Sequence, residues 1–140
     1  MLEGSISNGV HRLAFRVYYE DTDFSGHVYH ANYLKFCERA RSDLIRLIGF
    51  DQNALAGAES KTFFVIAKMN CDFLKPARFD DVLMVESRAG DIGGARFALL
   101  QKVMRGDDVL FRAEVTAVLI DGRGRPKRIP QDMAEKFAAR

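Results

Sequence analysis

The chain has 140 residues, of which 48% are hydrophobic and 29% are charged, and its formal net charge is +2. This length predicts a single domain over residues 1–140, with an ordered core from about residue 11 to residue 139. These hydrophobic and charged fractions are far from those of disordered or membrane-embedded proteins, and the small net charge argues against general nucleic-acid binding. No apolar stretch is long enough for a signal peptide or a membrane span, so we expect a cytoplasmic protein.

The first predicted element is a strand over residues 11–19, where apolar side chains recur at every second position. A polar, turn-rich segment follows at residues 20–26. Apolar residues then recur at helical spacing until Gly49, which predicts a long amphipathic helix over residues 32–48. The apolar stripe of this helix consists of Tyr33, Cys37, Ala40, Leu44 and Leu47.

The second half of the chain is rich in β-branched and aromatic residues and predicts four more strands, at residues 62–75, 82–89, 95–105 and 109–120. A short helical turn is predicted at residues 51–58 and a terminal helix at residues 130–139. The short connections between strands favour an antiparallel sheet, and therefore an α+β fold. One helix cannot cover a whole sheet and its edges, so we expect association with a second subunit.

Several polar features of the helix and strands have ordinary structural interpretations. The spacing of Glu38 with Arg41 and of Arg39 with Asp43 is typical of ion pairs on a helix surface. The two cysteines, Cys37 and Cys71, lie in apolar segments and are predicted to be reduced core residues. A nucleophilic pair of Cys37 with His30 is excluded, because seven helical residues would separate them by roughly 10 Å along the axis.

Residues 18–34 are the segment most informative about chemistry, since three carboxylates and two histidines lie there between a strand and a helix start. Backbone N–H groups at a helix start would polarise an acyl oxygen. A nearby carboxylate could activate water or attack the carbonyl carbon, and Gly26 would allow close approach of the backbone. Two alternatives remain open: acidic residues that only cap the helix, and a metal site, whose residues would be Asp21, Asp23, His27 and His30.

This segment resembles the signature of the 4-hydroxybenzoyl-CoA thioesterase-like hotdog family. The matching residues are Asp23, Gly26, Val28-Tyr29, Asn32-Tyr33 and Glu38-Arg39-Ala40-Arg41. Residues 18–23, 29–31, 68–69 and 76–81 are similar to one branch, the Tol-Pal system-associated acyl-CoA thioesterases. The resemblance extends from Leu13 to about Phe137.

The resemblance implies a hotdog fold, in which a five-stranded antiparallel sheet wraps a long central helix. It also implies a homodimer or a dimer of dimers with the active site between subunits. The spacing of the acidic and histidine residues matches no familiar metal motif, and no metal or cofactor is expected. Asp23 takes the position of the catalytic aspartate and His30 that of an assisting histidine, while a backbone N–H near His30 would receive the thioester oxygen. Gly26, Val28 and Tyr29 are expected to contact the substrate.

Two positions of the segment depart from the family pattern. His27 stands where the family usually has Val or Ile, and Phe24-Ser25 replaces smaller residues beside Asp23. Either histidine could therefore assist Asp23, and the acyl pocket is expected to differ in shape. The resemblance favours His30 for the assisting role.

Residues 123–128 carry four cations in six positions, and these cations are Arg123, Arg125, Lys127 and Arg128. They are predicted to hold the phosphates of CoA while the acyl end reaches the helix of another subunit. The alternative is a solvated surface turn.

The expected function is hydrolysis of an acyl-CoA to a free carboxylic acid and CoA. One alternative is a thioesterase of acyl carrier protein, whose acidic surface would meet the basic residues 123–128. Another is a non-catalytic hotdog protein that binds acyl groups or scaffolds a complex.

Overall fold

The computed structural model describes residues 3–49 and 61–138. Within these ranges the chain forms six strands: β1 (Ser5–Ser7), β2 (Val10–Arg16), β3 (Thr62–Phe73), β4 (Val82–Gly93), β5 (Arg96–Arg105) and β6 (Asp108–Asp121). The helices are a 3₁₀ turn (Tyr19–Asp21), α1 (His30–Leu47) and α2 (Gln131–Ala138). The helical turn predicted at residues 51–58 lies outside the described residues.

The strands form one fully antiparallel sheet in the order β1-β2-β4-β5-β6-β3. The predicted antiparallel α+β architecture is confirmed, but the predicted number of five strands is wrong because of β1. This strand has three residues, which is too short for a periodic pattern, and it pairs with β2 across Asn8-Gly9. Both turn residues have positive φ, 52° and 74°, as a two-residue hairpin turn requires.

Helix α1 packs its apolar stripe against the sheet. Tyr33, Cys37, Ala40 and Leu44 are buried as predicted, together with Phe36. They pack against the inward side chains of the central strands, such as Val85, Leu99, Val103, Phe111 and Val115, in a single hydrophobic core. No helix in the described ranges is long and apolar enough to cross a membrane.

Most element bounds differ from the sequence prediction by one to four residues, and two of the differences have clear local reasons. Strand β2 ends at Arg16 because the next residues turn into the 3₁₀ helix, where the carboxylate of Asp21 accepts the N–H of Tyr18 at 2.9 Å. Strand β4 continues past Ala89 through a shift of register before Ile92, so the turn falls at residues 94–95.

The two predicted ion pairs of the α1 surface do not form. Arg41 turns inward, and its Nη1 donates to Oε1 of the buried Gln101 at 2.9 Å. Asp43 is also buried, and its Oδ2 lies 2.6 Å from Nε2 of His11 and accepts the N–H of Gly4 at 3.0 Å. Helical spacing does not show which face a residue occupies, and both side chains lie on the face toward the sheet.

Cys37 and Cys71 are both free thiols, as predicted. Cys37 is buried, and its burial raises the pKa of the thiol to about 12. Cys71 is only half-buried, because it lies on the edge strand β3. A thiol with so high a pKa is unreactive, so Cys37 has a packing role.

Strand β3 hydrogen-bonds only to β6, so its other edge is open among the described residues. Its apolar side chains are unusually exposed: Phe63 and Val65 are each 39% exposed, Ile66 44% and Phe73 53%. An open apolar strand edge is a site where a second chain can pair.

Candidate active site

Residues 22–28 form a small hairpin between the 3₁₀ turn and α1. Thr22 and Val28 pair as an antiparallel bridge, and the N–H of Asp23 donates to the carbonyl of His27 at 2.9 Å. The N–H of Gly26 closes the turn on the carbonyl of Asp23 at 3.0 Å. Gly26 has a φ of 83°, which a residue with a side chain rarely adopts, so this glycine is needed for the turn.

The hairpin is tied to its surroundings by Asp21. The carbonyl of Asp21 accepts the N–H of Tyr29 at 2.8 Å, and its Oδ1 accepts from Nδ2 of Asn32 at 3.2 Å. Its Oδ2 accepts the backbone N–H of Tyr18 at 2.9 Å. Asp21 therefore anchors the hairpin to the first turn of α1. Among the described residues, no group of three or more His, Cys, Asp or Glu side chains could hold a metal ion.

Asp23 lies on the exposed rim of the hairpin. Its Oδ1 accepts two hydrogen bonds from Ser25, from Oγ at 2.5 Å and from the backbone N–H at 2.8 Å. The Oγ of Ser25 also contacts Nδ1 of His27 at 3.0 Å. The hydrogen bonds from Ser25, with a smaller contribution from the charge of His27, lower the pKa of Asp23 below its usual value. Asp23 is therefore an ionised carboxylate at neutral pH.

Helix α1 begins directly after the hairpin, with Tyr29 as its N-cap residue. No side chain of the described residues caps this end, and the N–H of Asn32 bonds back to the carbonyl of Tyr29 at 2.8 Å. The N–H groups of His30 and Ala31 are in the first turn, where no intrahelical acceptor exists. Together with the positive end of the helix dipole, they can polarise a carbonyl oxygen.

An apolar groove of about 300 Å³ opens beside this helix start. It is lined by Val28, His30, Tyr33, Phe73, Leu74, Lys75 and Pro76. The hydroxyl of Tyr33 accepts the N–H of Ala77 at 2.9 Å, and its ring stacks on Phe111 with 5.1 Å between centroids. These contacts fix Tyr33 in the wall of the groove, and an acyl group fits the mostly apolar lining.

The structure places the predicted residues Asp23, Gly26, Val28, Tyr29 and His30 along one continuous path from the hairpin into the helix. The two histidines have different neighbours. His27 is linked to Asp23 through Ser25, whereas the ring of His30 lies 4.5 Å from that of Tyr29 and 6.1 Å from that of Phe73.

Ser25 contacts Asp23, although the sequence analysis named it only as a departure from the family pattern and not among the candidate site residues. The sequence feature that could have predicted this contact is the position of Ser25 two residues after an aspartate, where a backbone N–H commonly bonds to the aspartate side chain.

The basic loop, residues 123–128, is organised by a carboxylate at the end of β6. Oδ1 of Asp121 accepts the backbone N–H of Arg123 at 2.8 Å and of Arg125 at 3.0 Å, while Oδ2 pairs with Nε of Arg125 at 3.1 Å. Nζ of Lys127 donates to Oγ1 of Thr62 at 3.2 Å. Arg123 and Arg128 are exposed, and their guanidinium groups have no partner among the described residues.

The basic loop and the helix start lie at opposite ends of β3. Lys127 contacts Thr62, the first residue of β3, whereas His30 lies against Phe73, its last residue. At about 3.3 Å per residue, eleven steps of strand separate these two ends by about 35 Å. Within one chain, the basic loop therefore lies far from the helix start that follows Asp23.

Comparison with known proteins agrees with this architecture. The family model of the thioesterase-like superfamily matches residues 17–137. The acyl-CoA thioesterase YbgC of Haemophilus influenzae is 39% identical over 123 residues, which are 87% of this chain and 90% of that protein. The acyl-CoA thioester hydrolase YbgC of Escherichia coli is 36% identical over 128 residues, which are 90% of this chain and 94% of that protein.

Among solved structures, the chain is similar to a probable thioesterase from Bartonella henselae. The sequence identity is 42% and the TM-score 0.83, over 86% of this chain and 99% of that one. These matches cover almost the whole described fold and confirm the resemblance to the hotdog thioesterases. The chain belongs to the thioesterase-like superfamily and is a thioester hydrolase with the hotdog fold.

Proposed function

We propose that this enzyme hydrolyses an acyl-CoA thioester to the free carboxylic acid and CoA, with Asp23 as its general base or nucleophile. The observation that carries the proposal is an ionised carboxylate in the hairpin directly before a helix start with unpaired N–H groups, where this helix start lines an apolar groove together with residues 73–76. The names of the two YbgC relatives support the substrate class. Residues 18–23 and 29–31 further suggest the Tol-Pal-associated branch.

In the proposed reaction, the thioester oxygen lies against the N–H groups of His30 and Ala31, where negative charge is stabilised as it develops. As a general base, Asp23 removes a proton from water while the water oxygen bonds to the carbonyl carbon. The C–S bond then breaks, and the CoA sulfur takes a proton. As a nucleophile, Asp23 instead bonds to the carbonyl carbon and expels the thiolate, and water then hydrolyses the resulting anhydride. Both routes give the same products.

Release of free thiol from acyl-CoAs and from acyl carrier protein thioesters tests the substrate class. We expect the higher kcat/KM with an acyl-CoA. A higher value for acyl carrier protein would favour the carrier-protein thioesterase. Failure to hydrolyse any thioester of either panel, aromatic or aliphatic, would favour the non-catalytic acyl-binding scaffold.

We expect His30→Ala to lower kcat by about tenfold or more, because a positioned proton donor or acceptor at the helix start is lost. The backbone N–H at this position remains in the variant, so the measurement isolates the imidazole. His27→Val is the matched comparison, and it should give a working enzyme with an altered acyl preference. An inactive His27→Val variant beside an active His30→Ala variant would reverse the roles of the two histidines.

We further propose a homodimer, or a dimer of dimers, formed through the open edge of β3. A two-fold axis perpendicular to the sheet would pair two β3 strands antiparallel and bury Phe63, Val65 and Ile66. Antiparallel pairing places the start of one β3 beside the end of the other. The basic loop of each protomer would then lie near the helix start of its partner, which would complete an active site between subunits.

In this arrangement the basic loop holds the phosphates of CoA. The free guanidinium groups of Arg123 and Arg128 are the strongest candidates, with Arg125 and Lys127 adding charge. We expect Arg123→Ala combined with Arg128→Ala to raise KM for acyl-CoA about tenfold while kcat changes little, as happens when ground-state binding is lost. Asp107→Ala in the β5–β6 turn is the control for a charge change elsewhere.

Hybrid dimers show whether the loop serves the partner's site. Co-expression of Asp23→Asn chains with Arg123→Ala/Arg128→Ala chains gives hybrids that hold one site with an intact Asp23 and an intact loop. We expect these hybrids to recover the wild-type KM. Hybrids that keep the raised KM would show that each loop serves the site of its own chain, and an unchanged KM in the Arg123→Ala/Arg128→Ala variant itself would place the phosphate site elsewhere.

A further inference from the structure

We propose that Ser25 and His27 are positioning residues for Asp23, and that they hold its carboxylate with one oxygen fixed and the other free to react. This inference rests on the proposed role of Asp23. It assigns to His27 a defined task through Ser25, in addition to any effect on the shape of the acyl pocket.

The hydrogen atoms of this chain of contacts can be assigned from the distances. The hydroxyl of Ser25 has one hydrogen, and its 2.5 Å contact with the carboxylate requires that it donate this hydrogen to Oδ1 of Asp23. Its 3.0 Å contact with His27 is then made as an acceptor. His27 must therefore carry a hydrogen on Nδ1, which holds the hydroxyl of Ser25 in the orientation that Asp23 needs.

The two carboxylate oxygens of Asp23 therefore differ in their hydrogen bonding. Oδ1 of Asp23 receives both hydrogen bonds of Ser25, whereas Oδ2 accepts none from the described residues. A carboxylate fixed through one oxygen loses little conformational freedom when it reacts, so its free oxygen is preorganised toward water or the thioester carbon. The same hydrogen bonds keep Asp23 ionised, since they stabilise its charged form.

The charged residues next to the hairpin, Asp21 and Arg78, do not act on the carboxylate of Asp23. Asp21, before the hairpin, is held by Tyr18 and Asn32. From the segment packed against the hairpin, Arg78 pairs with His27 through the backbone, and its own N–H donates to Asp81. Within residues 3–49 and 61–138, His27 is the titratable side chain that contacts Ser25, so changes at Ser25 and His27 should act on the titration of Asp23.

Ser25→Ala tests the proposal, because it removes the hydroxyl and keeps the backbone N–H bond of the turn. We expect kcat/KM to fall about tenfold, as for loss of one hydrogen bond to a charged group. The lost bond stabilised the ionised form, so the pKa of Asp23 should rise and the acid limb of the pH profile should move to higher pH. Carboxyl ¹³C NMR of Asp23 should show the same upward shift without substrate.

Three further variants separate positioning from simple loosening of the hairpin. Ser25→Thr keeps the hydroxyl and should recover most of the lost kcat/KM. Thr22→Val removes a hydroxyl of the same hairpin that bonds to the carbonyl of Tyr19 at 2.9 Å, and it should leave the acid limb where it is. His27→Val should lower kcat/KM about threefold, and it should have no added effect in the Ser25→Ala background, because the two residues act in series.

Several results would overturn the inference. An unchanged acid limb and an unchanged ¹³C titration in Ser25→Ala would reduce Ser25 to a turn residue. Additive effects of the two substitutions would show that His27 does not act through Ser25. If wild-type enzyme hydrolyses no thioester, the proposed function itself fails, and the NMR titration still decides whether Ser25 controls the ionisation of Asp23.

Discussion

Replacing Asp23 with Asn should lower kcat for thioester hydrolysis by at least about 100-fold, because positioned general-base or nucleophilic chemistry is commonly worth that much. The amide keeps the shape of the carboxylate, and its oxygen can still accept the hydrogen bonds of Ser25. It lacks the basicity and nucleophilicity of the carboxylate. The measurement is free-thiol release with the acyl-CoA that wild-type enzyme hydrolyses fastest.

The control for this variant is Asp107→Asn, an equal change of charge on an exposed aspartate of the β5–β6 turn. It should retain full activity. Circular dichroism and sedimentation should show the same fold and assembly for both variants and for wild-type protein. If Asp23→Asn retained more than about a tenth of wild-type kcat, Asp23 would be neither base nor nucleophile.

The largest effect on stability is expected for Asp43→Ala, which should lower the free energy of unfolding by about 2–3 kcal/mol, as is typical when a buried polar group loses its hydrogen-bond partner. His11 is fully buried and Asp43 is 3% exposed, so the substitution leaves an imidazole without its hydrogen-bond partner. It also removes the acceptor for the N–H of Gly4, which fixes the chain just before β1 on helix α1. Urea unfolding measures the loss.

An exposed ion pair provides the matched comparison. Asp72 pairs with Arg112 at 2.9 Å, but both side chains are more than half exposed. Asp72→Ala should therefore change the free energy of unfolding by less than about 1 kcal/mol. If the two variants lost equal stability, burial would not be the reason for the importance of Asp43.

Most of the fold could be predicted from the sequence, because α1 and the five longer strands have periodic apolar patterns that their burial in the core requires. Strand β1 could not be found in this way, since Ser5–Ser7 is too short to show a period. The hairpin signal of Asn8-Gly9 was present and would have found it. Prediction of β1 from apolar periodicity therefore failed because the strand is short, although the turn residues beside it indicated a hairpin.

Part of the candidate site could be proposed from the sequence. The family resemblance gave Asp23 and the helix start, and the structure places them on one continuous segment. The contacts of Ser25 depend on the three-dimensional turn at Gly26. Similarly, helical spacing suggested surface ion pairs for Arg41 and Asp43, but spacing cannot show that Gln101 and His11 lie opposite them across the core.

The open edge of β3 has a consequence for how the enzyme responds to its own concentration. If half of each active site comes from a second protomer, dissociation of the dimer removes the catalytic sites and uncovers the apolar strand edge at the same time. By mass action, both the specific activity and the melting temperature should then fall on dilution. The abundance of the chain would itself act as a control on its activity, and an assay at very low enzyme concentration would underestimate its turnover.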